Sequence, residues 1–209
     1  MRSCAVKTLH TVLYMGKIFY LMGKSASGKD KLFQRLMKDF RRQLSPVILY
    51  TTRPIRSGET DGETYHFVNE DMLACYEAQG RLIEKRVYQT VHGPWIYATV
   101  DDGTINPFLQ SYLMIGTPES YIKTKNYFGP ARVCPIYVEV EDGERLLRAI
   151  HRERRQEIPR YAELCRRFLA DAEDFSEEKL QQAGVTRRFY NDRFEDCVKE
   201  IADYISQQL

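Results

Sequence analysis

Gly23-Lys24-Ser25-Ala26-Ser27-Gly28-Lys29-Asp30 has the residue types and spacing of a phosphate cradle. Its glycines let the backbone curl until successive N–H groups point inward, and the helix expected to start here adds the positive end of its dipole. Lys29 is spaced to reach the β- and γ-phosphates of a nucleotide. The last position carries Asp30 where Ser or Thr completes the pattern. A carboxylate still offers oxygen to Mg²⁺, directly or through water, and beside a polyphosphate it needs a cation between them. A glycine-rich turn capping an ordinary helix is the plain alternative. The flanks favour the cradle: Ile18-Phe19-Tyr20-Leu21-Met22 reads as a buried strand and Lys31–Met37 as helix, the strand–loop–helix setting that the motif requires.

A second anion site is suggested by Thr51–Val68, where Arg53 and Arg56 flank the stiff Pro54, Gly58 and Gly62 turn the chain back, and Tyr65 follows. Two held guanidiniums and a phenol match the oxygens of a phosphate; a turn with solvated arginines is the other reading. Further on, Arg145, Arg148, Arg152, Arg154, Arg155, Arg160, Arg166 and Arg167 fall in a helical stretch with Glu153 and Glu157 among them. Arg148 and Arg152 share a face one turn apart. Ordinary helix pairing explains part of this, and a nucleic-acid patch would want aromatic stacking residues that are missing here. A mobile arginine lid over a phosphoryl group is the reading preferred.

Positioning these residues calls for alternating strands and helices. Strands are expected at Pro46–Tyr50, Tyr65–Val68, Arg81–Tyr88 (its polar members, Glu84 included, turned off the apolar face), Ser111–Ile115, Ala131–Val140 and Thr186–Asp192. Helices are expected from Asn69 to Gln79, from Pro118 to Tyr127, from Glu144 onward and from Phe194 to the end. Residues 101–110 read as a polar connection with some helical character. In a chain of 209 residues, 43% hydrophobic, this predicts one α/β domain, or one with inserted lobes. The net charge of +2 argues neither for nor against nucleic acid, and no partner of that kind is expected. Five scattered cysteines without a C-x-x-C pair favour reduced thiols and a cytoplasmic protein. No apolar run approaches the ~18–20 residues of a membrane span. Residues 1–15 are read as an appended, non-functional extension.

In order, the cradle, the Thr-Thr-Arg-Pro-x-Arg-x-Gly-Glu-x-Asp-Gly-x-x-Tyr-x-Phe-Val block, Ile83-Glu84, the arginine-rich helix and Asn191-Asp192 before a closing helix resemble the guanylate kinase family from about Gly16 to the C-terminus. The resemblance implies a three-layer α/β/α P-loop core with a parallel sheet (16–52 and 100–209), an inserted small mixed acceptor lobe (53–99) and a helical arginine lid (148–166). It implies ATP-dependent phosphoryl transfer to a nucleoside monophosphate, GMP foremost, with Mg²⁺, by a monomer or homodimer. By position, residues 23–30 and Asn191 would bind ATP. Arg53, Arg56, Tyr65 and Tyr97 would hold the acceptor's phosphate; Glu84 and Thr99 would contact its base, with one residue inserted in Gly93–Ile96. Lys29, Arg53, Arg148, Arg152 and Arg167 would serve the transfer itself. Three positions depart from the family: Asp30, Leu49 in place of a base-contacting serine, and a strand ending Gly116-Thr117 without an acid. The first and third also occur in ribose 1,5-bisphosphate kinase, which lacks the full Thr51–Val68 block. Loss of two base contacts costs about 1–3 kcal/mol each where groups go unpaired. A kinase for a phosphorylated sugar and a catalytically silent binding module are therefore the alternatives.

Overall fold

The computed structural model describes residues 15–56, 58–90 and 93–209; the expected extension over 1–14 lies outside them. In chain order the elements are β1 (Ile18–Met22), α1 (Lys29–Asp39), β2 (Leu44–Pro46), β3 (Tyr50–Thr51), β4 (His66–Phe67), α2 (Glu70–Ala78), β5 (Leu82–Thr90), β6 (Gly93–Val100), β7 (Ser111–Gly116), α3 (Pro118–Phe128), β8 (Val133–Glu139), α4 (Asp142–Glu153), α5 (Tyr161–Asp174), α6 (Glu177–Ala183), β9 (Arg188–Tyr190) and α7 (Phe194–Gln208). Five strands form a parallel sheet in the order β2-β7-β1-β8-β9, and four form a mixed sheet in the order β4-β3-β6-β5.

The period of two along β1 divides the parallel sheet into its faces. Ile18, Tyr20 and Met22 join Tyr121 of α3 and Leu180 and Ala183 of α6 in one core. Phe19 and Leu21 join Leu32 and Leu36 of α1 and Ile201 and Ile205 of α7 in the other. All five residues of β1 are fully buried, so the strand is apolar throughout, as strands covered on both faces are. The mixed sheet has its own small core around Tyr50, Leu73, Ala98 and Val100.

Two expectations change. The apolar run Pro46–Tyr50 is not one strand: β2 ends at Pro46 beside β7, and the chain then crosses to β3 and pairs with β6. Val47 packs in the first core and Tyr50 in the lobe core, so the run is apolar because it bridges two interiors. Glu84 does stand off the apolar face of the lobe, on the side of Arg86 and Tyr88, and is nevertheless buried. A register shift between Leu82 and Glu84 inserts Ile83 as a bulge, and Glu84 is 3% exposed. Residues 101–110 form turns without a helix.

The helix expectations hold where caps were legible. Asn69 accepts the Met72 N–H at the start of α2, and Thr117 and Ser120 make a reciprocal capping box at the start of α3. That box sits directly after Gly116, where an added Cβ would run into the Tyr20 hydroxyl and stand 2.6 Å from the Ser120 Oγ. Tyr20 itself donates to Ser120 Oγ at 2.6 Å. No side chain fits at 116, which is why the strand ends without an acid. Gly116→Ala is expected to destabilise the fold by about 1–3 kcal/mol through overpacking, read as a lowered midpoint in guanidinium chloride; an unchanged midpoint would contradict this packing.

Candidate active site

The turn between β1 and α1 is held in its curled form by unusual backbone and by close neighbours. Ala26 has φ 63° and Gly28 φ 87°, the left-handed region that turns N–H groups inward. A Cβ at Gly23 would stand 2.7 Å from Ser27 Oγ and 2.9 Å from the Val138 carbonyl, so the approach of β8 demands glycine there. Asn191, 4% exposed, donates from Nδ2 to the Ser27 carbonyl at 2.7 Å. Its side chain thus braces the turn from beneath.

From the other side α4 and α5 seize Ser25. The Asp171 carboxylate accepts the Ser25 N–H at 2.8 Å, Arg145 Nη1 donates to the Ser25 carbonyl at 3.0 Å, and Arg167 Nη2 donates to Ser25 Oγ at 3.1 Å. Arg145 also holds Asp171 at 3.1 Å and Asp142 Oδ1 at 2.9 and 3.1 Å, while its guanidinium lies over the Phe168 ring at 4.3 Å. Lys24 reaches Asp142 at 3.1 Å. Burial works against the Asp142 charge, but the hydrogen bonds from Arg145 and Lys24 outweigh it and hold the carboxyl below its ordinary range. Sequence reasoning did not single out Asp142 or Asp171 and treated Arg145 as one of eight; their partners in the turn, Lys24 and Ser25, lie more than a hundred positions away in the chain.

Between the two sheets opens a cleft of about 510 Å³. Gly23, Ser25, Lys29 and Asp30 line it from the parallel sheet, and Arg56, Tyr65, Tyr97, Trp95 and Arg86 from the mixed sheet; Arg166, Arg167, Asp171 and Asp174 come from α5. The Tyr65 and Tyr97 rings meet edge to face at 5.6 Å, and the Arg56 guanidinium lies 5.9 Å from the centre of the Trp95 ring. Burial raises the Tyr65 pKa, with the Tyr97 and Asp30 charges adding to it, so its phenol stays protonated and able to donate. Burial likewise raises the Asp174 carboxyl. Asp30 is 79% exposed with Oδ1 3.7 Å from Lys29 Nζ. Among the described residues no cluster of three or more carboxylate, histidine or cysteine ligands is present. An exposed carboxylate on this turn, such as Asp30, could contribute to an Mg²⁺ site, since the ion commonly takes one or two carboxylates and completes its shell with phosphate oxygens and water.

Several expected site residues stand elsewhere. Arg53 is 3% exposed and its fork is taken by Glu59, at 2.7 and 2.9 Å; it packs over Tyr65 and Phe67 as a strut of the lobe and is not among the cleft-lining residues. Arg148 donates to Glu144 at 2.8 Å and to the Asn191 carbonyl at 3.1 Å, and Arg152 is exposed; neither lines the cleft. Arg166 and Arg167, a helix further on, do. Glu84 accepts from Thr99 Oγ1 at 2.9 Å and from Arg86 Nε at 3.2 Å, and with Thr99 it is sealed behind the cleft wall.

Residues 15–101 match the guanylate kinase family model. Over that stretch, less than half of the chain, the sequence is similar to guanylate kinases. The Schizosaccharomyces pombe guanylate kinase is 33% identical over 87 residues, 41% of this chain and 43% of that one. The Syntrophotalea carbinolica guanylate kinase is 36% identical over 78 residues, 37% and 35% of the two chains. The aligned stretch thus spans less than half the length of these relatives; the family-model match, residues 15–101, includes Arg53, Arg56, Tyr65, Glu84, Tyr97 and Thr99. The fold likeness runs further. The crystal structure of guanylate kinase from Anaplasma phagocytophilum superposes with a TM-score of 0.65 at 18% identity, over 94% of this chain and 88% of that one. Outside residues 15–101, then, the likeness is one of fold.

The Arg53–Glu59 pair yields a signed pH dependence. The hydrogen bonds from Arg53 hold the Glu59 carboxyl below its ordinary 4.5, so its contribution to stability is present above that value and is lost as pH falls through the folded one. The melting temperature of the native chain should exceed that of Glu59→Gln near neutral pH, with the gap closing below about pH 4. A gap constant across this range would contradict the pairing.

Proposed function

We propose that this chain transfers the terminal phosphoryl group of ATP to a nucleoside monophosphate, GMP foremost, with Mg²⁺. The observation that carries the reading is that the phosphate cradle of one sheet and the Arg56–Tyr65–Tyr97 cluster of the other line a single cleft, with the Arg166–Arg167 pair of α5 alongside. Phosphoryl transfer asks little covalent chemistry of a protein; it asks that two anions be aligned and their charge neutralised. Lys29 and those N–H groups of the turn that are not already given to Asp171 and to the Lys24 carbonyl would hold the donor phosphates. Arg56 and the phenols of Tyr65 and Tyr97 would present the acceptor phosphate as nucleophile. Arg167, already in contact with Ser25, stands where charge develops between donor and acceptor. Mg²⁺ on Asp30 would neutralise the donor phosphates. In this reading residues 53–99 are the acceptor lobe, Arg53 acts by bracing it, and the lid function of 148–166 passes to its C-terminal edge and the start of α5.

The named relatives support GMP as acceptor; the alternatives rest on Asp30, Leu49 and Gly116, all of which line the cleft. The presence of Lys29 and of two cleft arginines on α5 weighs against a module that only binds. A cytoplasmic setting goes with thiols that are unpaired at Cys75, Cys134, Cys165 and Cys197. Among the described residues no helix is long and apolar enough to cross a membrane.

Lys29→Ala should lower the rate of ADP formation from ATP and GMP by about 10²–10³-fold or more, with a melting temperature close to the native one. A coupled ADP assay and a thermal melt decide this, and native turnover in a folded Lys29→Ala chain would overturn the mechanism. Arg56→Ala should raise the KM for GMP and leave that for ATP unchanged.

A further inference from the structure

The cleft face of β5 and β6 repeats at every second residue. Glu84 stands opposite Thr99, Arg86 opposite Tyr97 and Tyr88 opposite Trp95. The pleat aligns these pairs on one side, which orders the wall from a sealed end at Glu84 to an aromatic end beside Arg56. Arg86 occupies the middle. Its side chain is 15% exposed and its Nε is committed to Glu84 Oε2 at 3.2 Å, while among the described residues Nη1 and Nη2 have no hydrogen-bond partner. The nearby carboxylates are engaged elsewhere: Glu119 accepts from Lys123 at 2.8 Å, and Asp174 lies 3.7 Å from Lys179.

At this end of the cleft the chain offers little else that could read a base. Leu49 brings no hydroxyl, Gly116 cannot carry a side chain, and Glu84 and Thr99 satisfy each other out of reach. The free edge of a guanidinium presents two parallel donors. Guanine and hypoxanthine present two adjacent acceptors, O6 and N7, whereas adenine pairs its N7 with an N6 amino donor that would face the guanidinium unmatched.

Resting on the nucleoside monophosphate kinase reading, we propose that Arg86 selects the acceptor by donating from Nη1 and Nη2 to the O6/N7 edge of a 6-oxopurine monophosphate. Glu84 is then the positioning residue that fixes the guanidinium plane through Nε, and Thr99 fixes Glu84 in turn. The site takes GMP and IMP alike, because the edge they share is the edge that is read, and it turns away AMP.

The test is isothermal titration of the full chain with GMP, IMP, AMP and 7-deaza-GMP, which lacks the N7 acceptor, repeated with Arg86→Gln and with Arg86→Lys, which keeps the charge beside Glu84 and loses the fork. The native chain should bind GMP and IMP within a few-fold of each other, at least about tenfold tighter than AMP, and several-fold tighter than 7-deaza-GMP. Both substitutions should lower GMP and IMP affinity about tenfold or more and leave AMP within about twofold. A merely structural arginine would weaken GMP and AMP alike, and that outcome overturns the assignment; so does native binding of GMP no tighter than AMP or 7-deaza-GMP, which needs no variant to fold. Arg86-dependent GMP binding without turnover on adding ATP and Mg²⁺ would instead overturn the kinase reading and leave this assignment standing.

Discussion

A guanidinium with 1% of its surface exposed must find its counter-charge and hydrogen-bond acceptors inside the fold. Arg145 finds them in Asp142 on its own helix, in Asp171 on α5 and in the Ser25 carbonyl of the phosphate turn. The consequence is mechanical. Three segments that are far apart in sequence are fixed to one planar group, and the turn cannot relax without leaving a buried charge unanswered, at a cost on the order of 3–5 kcal/mol. Asn191 braces the same turn from beneath through Ser27. A loop rich in glycine would otherwise sample many shapes; here its curl is fixed by Arg145, Asp171 and Asn191, which is the kind of preorganisation electrostatic catalysis requires.

The second constraint is the division of the chain between two sheets. The apolar run after β2 leaves the parallel sheet at Val47 and enters the mixed sheet at Tyr50, so a short connection joins the two walls of the cleft. Each wall contributes what its geometry favours. The parallel sheet supplies a loop at the carboxyl end of its central strand, where helix dipole and backbone N–H groups gather. The antiparallel pair β5–β6 supplies a pleated face on which every second residue looks into the cleft. That face runs from the sealed Glu84–Thr99 pair to the Tyr97 and Trp95 rings, an order that suits a ligand with a base at one end and a phosphate at the other.

What could be read from the sequence was what is contiguous. The turn between β1 and α1 is eight consecutive residues, and the Arg56–Tyr65 segment is a single block, so the place of both in the chain was legible from residue type and spacing. Strand and helix positions followed from apolar period and caps. The rest depends on contacts without local signature. Asp171 meets Ser25 across 146 positions and Arg145 meets it across 120, so neither stood out from the arginine-rich helix around it. Glu84 stands off the apolar face with Arg86 and Tyr88, as alternation gives, while the bulge at Ile83 turns Leu82 into the lobe core, a one-residue effect that alternation cannot foresee. Arg53 looked free because its partner Glu59 sits in the same exposed-looking turn. Arg148 and Arg152 have the right helical spacing for a lid, but α4 points that face at Glu144 and Asn191, and the cleft receives Arg166 and Arg167 instead.

The central claim is that donor and acceptor anions sit in one continuous cleft between the two sheets. The most direct measurement is the affinity, by titration, of an adenosine–guanosine pentaphosphate, whose two nucleosides are joined through a chain of phosphates, against that of ATP and of GMP alone. If one cleft holds both, the linked compound binds far more tightly than either nucleotide, by one to three orders of magnitude or about 1.4–4 kcal/mol, and each nucleotide displaces it. An affinity no better than that of ATP, with GMP still bound in its presence, would contradict the account.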